Sequence, residues 1–282
     1  MVAALPTLPD PRAWWRALKE ALFGETPVLA GGAALFAFLA TIPALGAIAS
    51  LYGLIADPWE ITEHLDGLDA VLPDAVVDFV IIQLRRHATR SGDELGTTLF
   101  LSLVLSIYST RAAVGALITG LNHAYDVEEH RNRTHRVLLG VAVALATKLG
   151  LLILTTVIVA LSAFALPLGL DNPAAARLLT WPLFLAVVVV AFAGLYRAAP
   201  APRADGRRKR TWPGAITATL VLIVTSWGLG VWVERIGDYE VLYGALASVI
   251  TVVVWFYVAT LVILFGAQVN GELEAIEDGA RS

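Results

Sequence analysis

Six blocks of apolar residues, at 28–56, 97–121, 137–166, 178–196, 213–233 and 243–269, constrain this chain more than any other feature. A helix rises 1.5 Å per residue, so each block can cross a hydrocarbon layer about 30 Å thick, the longer ones with tilt to spare. The charge content argues the same way. Hydrophobic residues make up 57% of the chain and charged ones only 16%, whereas an ordinary soluble domain carries about 25% charged residues to coat its core. The expectation is an all-α integral membrane protein with one membrane domain over residues 1–282 and six transmembrane helices. Ala47-Ile48-Ala49 resembles a signal-cleavage site, but the apolar run before it is about twice the usual signal core and its leader is long and carries acids. The first block therefore reads as a spanning helix. Pro43 inside it should kink the helix and free a carbonyl near Leu39. The run Ala30-Gly31-Gly32-Ala33-Ala34 allows close helix packing.

Orientation follows from the basic residues. One set of connections holds Arg12, Arg16 and Lys19, then Arg131, Arg133 and Arg136, then Arg197, Arg203, Arg207, Arg208, Lys209 and Arg210, with Arg281 at the end. The opposite set holds only Arg85, Arg86, Arg90, Arg177 and Arg235. The positive-inside bias places the first set, and with it both termini, in the cytoplasm. Because topology already explains these charges, they do not argue for nucleic acid.

Two segments outside the spans have amphipathic patterns. Residues 10–24 predict a short helix that Asp10 caps and Pro11 opens, with Trp14, Leu18, Ala21 and Leu22 on one face and Trp15 beside them. Arg12, Arg16 and Lys19 occupy the more polar positions. Two readings stay open: an interfacial helix in the headgroup layer, or a helix packed on the protein's own cytoplasmic face. Residues 57–96 carry seven acids, from Asp57 to Asp78, before their arginines appear. Ile61, Leu65 and Leu68 recur at helical spacing, as do Val76, Val77, Val80, Ile81 and Leu84 after Pro73. This predicts two short amphipathic helices on the external face. No internal repeat of the transporter kind stands out.

Two cations interrupt the spans. Arg111 and Lys148 each lie very roughly 15–17 Å from the cytoplasmic end of their helices, counted at 1.5 Å per residue. A buried cation is costly, so each must face the bundle, a wet cavity or a partner. No carboxylate lies mid-span to pair with either. One reading has both lining a polar cavity open to the cytoplasmic leaflet, where an anionic group such as a lipid phosphate binds. The other has Arg111 bonded to helix-end carbonyls and Lys148 snorkelling.

Little else suggests chemistry. The chain has no cysteine, which excludes disulfides, thiolate metal sites and cysteine nucleophiles. His123, His130 and His135 lie near Asp126, Glu128 and Glu129, but their spacing matches no zinc motif. There is no His-Glu-x-x-His, phosphate-binding glycine loop or nucleophile elbow. The expectation is no metal, no cofactor and no catalytic centre.

One further pattern is specific. Tyr243-Gly244-Ala245-Leu246-Ala247-Ser248 leads into Trp255-Phe256-Tyr257, then Leu264-Phe265-Gly266-Ala267-Gln268-Val269-Asn270, then Glu272 and Glu274. With Ser109-Thr110-Arg111, the stretch Leu121-Asn122-His123-Ala124-Tyr125-Asp126-Val127-Glu128-Glu129, Trp212-Pro213-Gly214, and Ala33-Ala34-Leu35-Phe36-Ala37-Phe38 before Pro43, it resembles the YihY/BrkB family of bacterial inner-membrane proteins, formerly labelled ribonuclease BN-like. The resemblance covers residues 12 to 275. It implies a six-helix inner-membrane protein without an established activity, in a family discussed in connection with envelope integrity and lipid or lipopolysaccharide handling. Arg111 and Asn270 match the family pattern and join Lys148 as candidate anion- or lipid-binding residues. Gln268 stands where an acid is common, so a role assigned to that acid does not carry over.

Two functional classes follow. A transport or lipid-handling protein of the inner membrane would bind an anionic lipid or small anion in a polar cavity. A structural or interaction protein of the cell envelope would use its external segment and cytoplasmic loops, with no transport. The oligomeric state is open, although the small-residue faces would permit a dimer.

Overall fold

A computed structural model describes residues 11–55, 82, 92–132, 134–135, 138–140, 142, 173–202, 210–235 and 246–279. Every regular element among the described residues is an α-helix: α1 (Pro11–Phe23), α2 (Thr26–Ile55), α3 (Gly92–Ala124), α4 (Pro173–Ala198), α5 (Trp212–Arg235) and α6 (Leu246–Gly279). Four helices contain stretches long and apolar enough to cross a membrane: Thr26–Pro43, Leu103–Ala124, Trp212–Arg235 and Leu246–Glu277. In α4 the described apolar stretch is the shorter Phe184–Ala198. The expected span at 137–166 lies almost wholly outside the described residues, and so does most of the external segment at 57–96. Where that segment ends, α3 starts at Gly92, a turn earlier than the expected span.

The chain divides into two compact units. The first comprises residues up to Thr26, Ile118–Leu220 and Ile263–Ser282. Its core begins on α1, where Ala13 and Ala17 pack against Val269 and Leu273 of α6, with Trp14, Phe265 and Ile276 around them. Ala21 continues the buried stripe. Residues four apart stack on one helical face, and methyl side chains let the two helices close up. The expected apolar face of Trp14, Leu18, Ala21 and Leu22 is therefore divided. Ala21 is buried and Trp14 packs inward, whereas Leu18 and Leu22 are exposed, as is Trp15, over which Lys19 Nζ sits 5.3 Å from the ring centre.

Glycines make a second close approach in this unit. A Cβ on Gly214 of α5 would overlap the carbonyl oxygen of Gly266 on α6, and a Cβ on Gly266 would strike the Tyr196 hydroxyl and the Gly214 carbonyl. The helices meet backbone to backbone, which only glycine allows.

The second unit comprises Pro27–Leu117 and Val221–Val262. Apolar side chains cover its outside: Leu35, Phe36 and Leu39 on α2, Ile107 and Tyr108 on α3, and Val224 and Trp227 on α5 are all exposed. A water-soluble unit would put charges there. Polar groups inside it find partners within their own helix or on a neighbouring one, as helices in lipid require. Thr41 donates to the Ala37 carbonyl (2.9 Å), and Trp255 Nε1 donates to Ser226 Oγ (3.3 Å). Helix α2 continues through Pro43 to Ile55.

Candidate functional site

The polar side chains of the first unit form a knot around the end of α3. That helix stops because Asp126 adopts φ 49°. The Val127 amide then donates to the Asn122 carbonyl (3.0 Å) and the Asp126 amide to the His123 carbonyl (3.1 Å). This double bond pattern with a left-handed residue between is the Schellman cap, a position glycine usually fills and asparagine or aspartate tolerates.

The turn presents three side chains to the rest of the unit. Asn122 donates from Nδ2 to Glu129 Oε2 (2.9 Å) and accepts the Ala201 amide at Oδ1 (2.7 Å), tying α3 to the chain after α4. Glu129 in turn accepts from Arg131 Nε at 2.8 Å and from Nη2 at 2.9 Å, and Arg131 Nη2 also donates to the Ala199 carbonyl. The bonded guanidinium holds the Glu129 carboxyl down at about 2, against the opposing push of partial burial. Tyr125 is buried, and its hydroxyl donates to the Arg210 carbonyl (2.9 Å).

Asn270 of α6 completes the knot. It is 0% exposed. Its Oδ1 accepts the Gly214 amide (2.7 Å), one of the first amides of α5 that lacks a partner in its own helix. Its Nδ2 donates to the Tyr125 hydroxyl (3.0 Å) and the Thr211 carbonyl (3.3 Å). One turn on, Glu274 accepts the Arg210 amide, and Glu277 pairs with the Arg210 guanidinium. Helix α6 thus caps α5 with side chains.

Beside the knot lies an open cavity of about 860 Å³. Its walls include Glu20 of α1, His123, Asp126 and Glu128 from the end of α3 and its turn, and Gln268 and Glu272 of α6. His123 Nε2 is 3.5 Å from Glu20 Oε1, and its Nδ1 is 4.0 Å from Glu25 Oε2. Among the described residues, no three His, Cys, Asp or Glu side chains converge on a metal-sized site. Gln268, where the family resemblance implies an acid, donates from Nε2 to Thr26 Oγ1.

The residues predicted for a site are distributed as follows. Asn270 sits at the centre of the knot in the first unit, with its amide spent on protein partners. Arg111 belongs to the second unit and is exposed on α3 between apolar turns. Lys148 lies outside the described residues. Sequence reasoning did not single out Asn122, Tyr125 or Glu129. A signal was available, since each lies in the stretch that carries the family resemblance, as do Gly214, Gly266 and Asn270.

A family model described as "Virulence factor BrkB" matches residues 17–282. Among curated proteins, the chain is 28% identical over 207 residues to the ribonuclease-like protein YfkH of Bacillus subtilis (strain 168), covering 68% of this chain and 71% of that one. It is 26% identical to a UPF0761 membrane protein of Delftia acidovorans, covering 76% of this chain and 50% of that one. A UPF0761 membrane protein of Xanthomonas campestris pv. campestris (strain B100) is 23% identical over 93% of this chain and 60% of its own. The chain thus spans only about half to three-fifths of the two longer relatives. No solved structure matches.

Proposed function

This chain belongs to the BrkB virulence-factor family of membrane proteins, and from that premise we propose that it handles an anionic lipid or small anion through Arg111. The carrying observation is the exposed position of Arg111 in the 22-residue apolar stretch Leu103–Ala124, with Ile107 and Tyr108 exposed on the turn before it. Counted to the end of the span expected at 97–121, the guanidinium lies about 15 Å deep, where it needs an anionic partner or water. A phosphate matches its fork of donors. Lys148, on the next span in our reading, supplies a second cation at similar depth.

The topology we attach to this reading has six spans in a bacterial inner membrane with both termini cytoplasmic. Under it, the knot and the acidic cavity face the cytoplasm. The reading is of a protein without enzymatic activity. The ribonuclease-like wording belongs to the Bacillus relative's name, and the test for this chain is RNA cleavage by purified protein, expected to be nil.

The deciding experiment measures retention of phosphatidylglycerol by native mass spectrometry on purified protein. Arg111→Ala is expected to lose most of the bound anionic lipid, and Lys148→Ala part of it. Unchanged retention in both variants overturns the reading. A second reading, a structural protein of the envelope, is favoured by one observation: the buried amide of Asn270 is used in holding helix ends together. It would be supported if both cation variants kept their lipids while Asn270 variants lost folded protein.

A further inference from the structure

Helix α1 spends only part of its surface on α6. Ala13, Ala17 and Ala21 are buried, while Trp15, Leu18, Leu22 and Phe23 are exposed. At 3.6 residues per turn, Leu18, Leu22 and Trp15 share one arc, and Lys19, Arg12 and Arg16 form the next arc round. All three cations are exposed. The helix thus carries three sectors in order: small residues packed on the protein, bare apolar side chains, then positive charge. Glu20, the one acid of α1, lies beyond the cations and turns to His123 at 3.5 Å. Arg16 approaches Glu272 only to 3.8 Å, longer than a hydrogen bond, and its side chain stays 63% exposed. Four large apolar side chains bared on a helix of 13 residues mark a surface that meets something other than water.

The course of the chain and the charge identify the partner. Only two residues separate Phe23 from Thr26, where the apolar stretch Thr26–Pro43 begins, so α1 ends at the mouth of a span. Lys19 Nζ lies 5.3 Å from the Trp15 ring centre, which joins the apolar sector to the charged one. Tryptophan and lysine suit the headgroup layer together, the ring turned to the acyl chains and the ammonium to the phosphates. We propose that α1 lies along an anionic lipid surface. Leu18, Leu22 and Trp15 enter the interface, and Lys19, Arg12 and Arg16 meet lipid phosphates. A helix packed on its own protein and a helix lying in the headgroup layer are then one helix, seen from opposite sides. These contacts exchange with the surrounding lipid surface and do not rest on Arg111.

The chain has no cysteine, so one introduced cysteine carries a nitroxide label without background. The experiment measures collisions of that label with oxygen and with a water-soluble nickel chelate, on full-length protein in nanodiscs of phosphatidylglycerol and phosphatidylcholine in equal parts. Labels on Leu18→Cys and Leu22→Cys should meet oxygen more often than nickel, and a label on Asn132→Cys the reverse. In discs of phosphatidylcholine alone, the oxygen-to-nickel ratio at Leu22→Cys should fall severalfold. Adding Arg12→Gln/Arg16→Gln/Lys19→Gln in the mixed discs should lower it likewise. Should that charge variant aggregate, the two lipid compositions test the same cations without it. The proposal is overturned if the labels on α1 meet nickel more often than oxygen, or if the ratio is the same in both lipids. It is overturned equally if the spectra broaden through a neighbouring label, which would put a second copy of the chain on this face.

Discussion

The Asn270 amide nitrogen lies 3.0 Å from the Tyr125 hydroxyl, and through this bond the last helix holds the turn that ends α3. Tyr125 passes the connection on to the Arg210 carbonyl just before α5. Three chain segments thus meet on two side chains. Asn270→Leu would leave the Gly214 amide buried without its partner and take one donor each from the Tyr125 hydroxyl and the Thr211 carbonyl. At about 1–3 kcal/mol for an orphaned buried group, the expected loss is about 3 kcal/mol, read as a lower midpoint of thermal unfolding in detergent. Asn270→Asp should be no better, because a carboxylate cannot donate to the Thr211 carbonyl. Ala substitution at the exposed Asn132 is the control and should leave the midpoint unchanged.

The glycine crossing gives a prediction with two signs. Gly214→Ala and Gly266→Ala put a methyl group into the backbone of the facing helix, and should lower stability by more than about 2 kcal/mol. Gly228→Ala and Gly230→Ala, where a Cβ meets nothing within 4 Å, should raise it by up to about 1 kcal/mol each through helix propensity. Thermal unfolding of the four variants in one detergent separates the two effects.

Glu129 predicts a pH dependence. Its folded-state value, near 2, lies below the ordinary 4.5, so the unfolded chain binds the proton more readily. The stabilisation is fully present above about pH 4.5 and is lost as pH falls towards 2. Discounted for solvent screening, it is on the order of 1 kcal/mol. Glu129→Gln should lose that amount at pH 7, and its stability should fall less steeply than wild type between pH 4.5 and 2. Parallel curves would remove the ion pair with Arg131 as the cause.

The cap of α3 can be improved. Asp126 holds φ 49°, which costs an L side chain roughly 1 kcal/mol that glycine does not pay. Asp126→Gly should raise the unfolding midpoint, and Asp126→Val should lower it.

These variants probe features that the sequence disclosed unequally. Apolar blocks announced α2, α3, α5 and α6, because a run of 20 apolar residues has few other uses. The helix α1 was legible too, but the face that matters was not. Hydrophobicity pointed to Leu18 and Leu22, whereas the contact runs along Ala13, Ala17 and Ala21, where small size rather than apolarity brings the helices together. The knot was invisible to periodicity because its bonds join residues 56 and 145 positions apart. Asn270 was picked out through family resemblance, and the structure supplies the contacts it makes. Arg111 was found as a charge in the wrong place, a signal that needs only composition and depth.

The alanine stripe gives one more prediction. Ala17 is 0% exposed against Val269 and Leu273. Ala17→Leu should cost about 1–3 kcal/mol by overpacking and speed proteolysis at α1, while Leu18→Ala, on the exposed side, should do neither.

Where Gly214 meets Gly266, backbone faces backbone, and the Asn270 side chain ties the Gly214 amide beside them. Cushioned interfaces can slide by changing rotamers; bare backbones cannot. A slide of α5 along α6 here would drive the two backbones into each other and break the Asn270 bond, so the crossing opposes it.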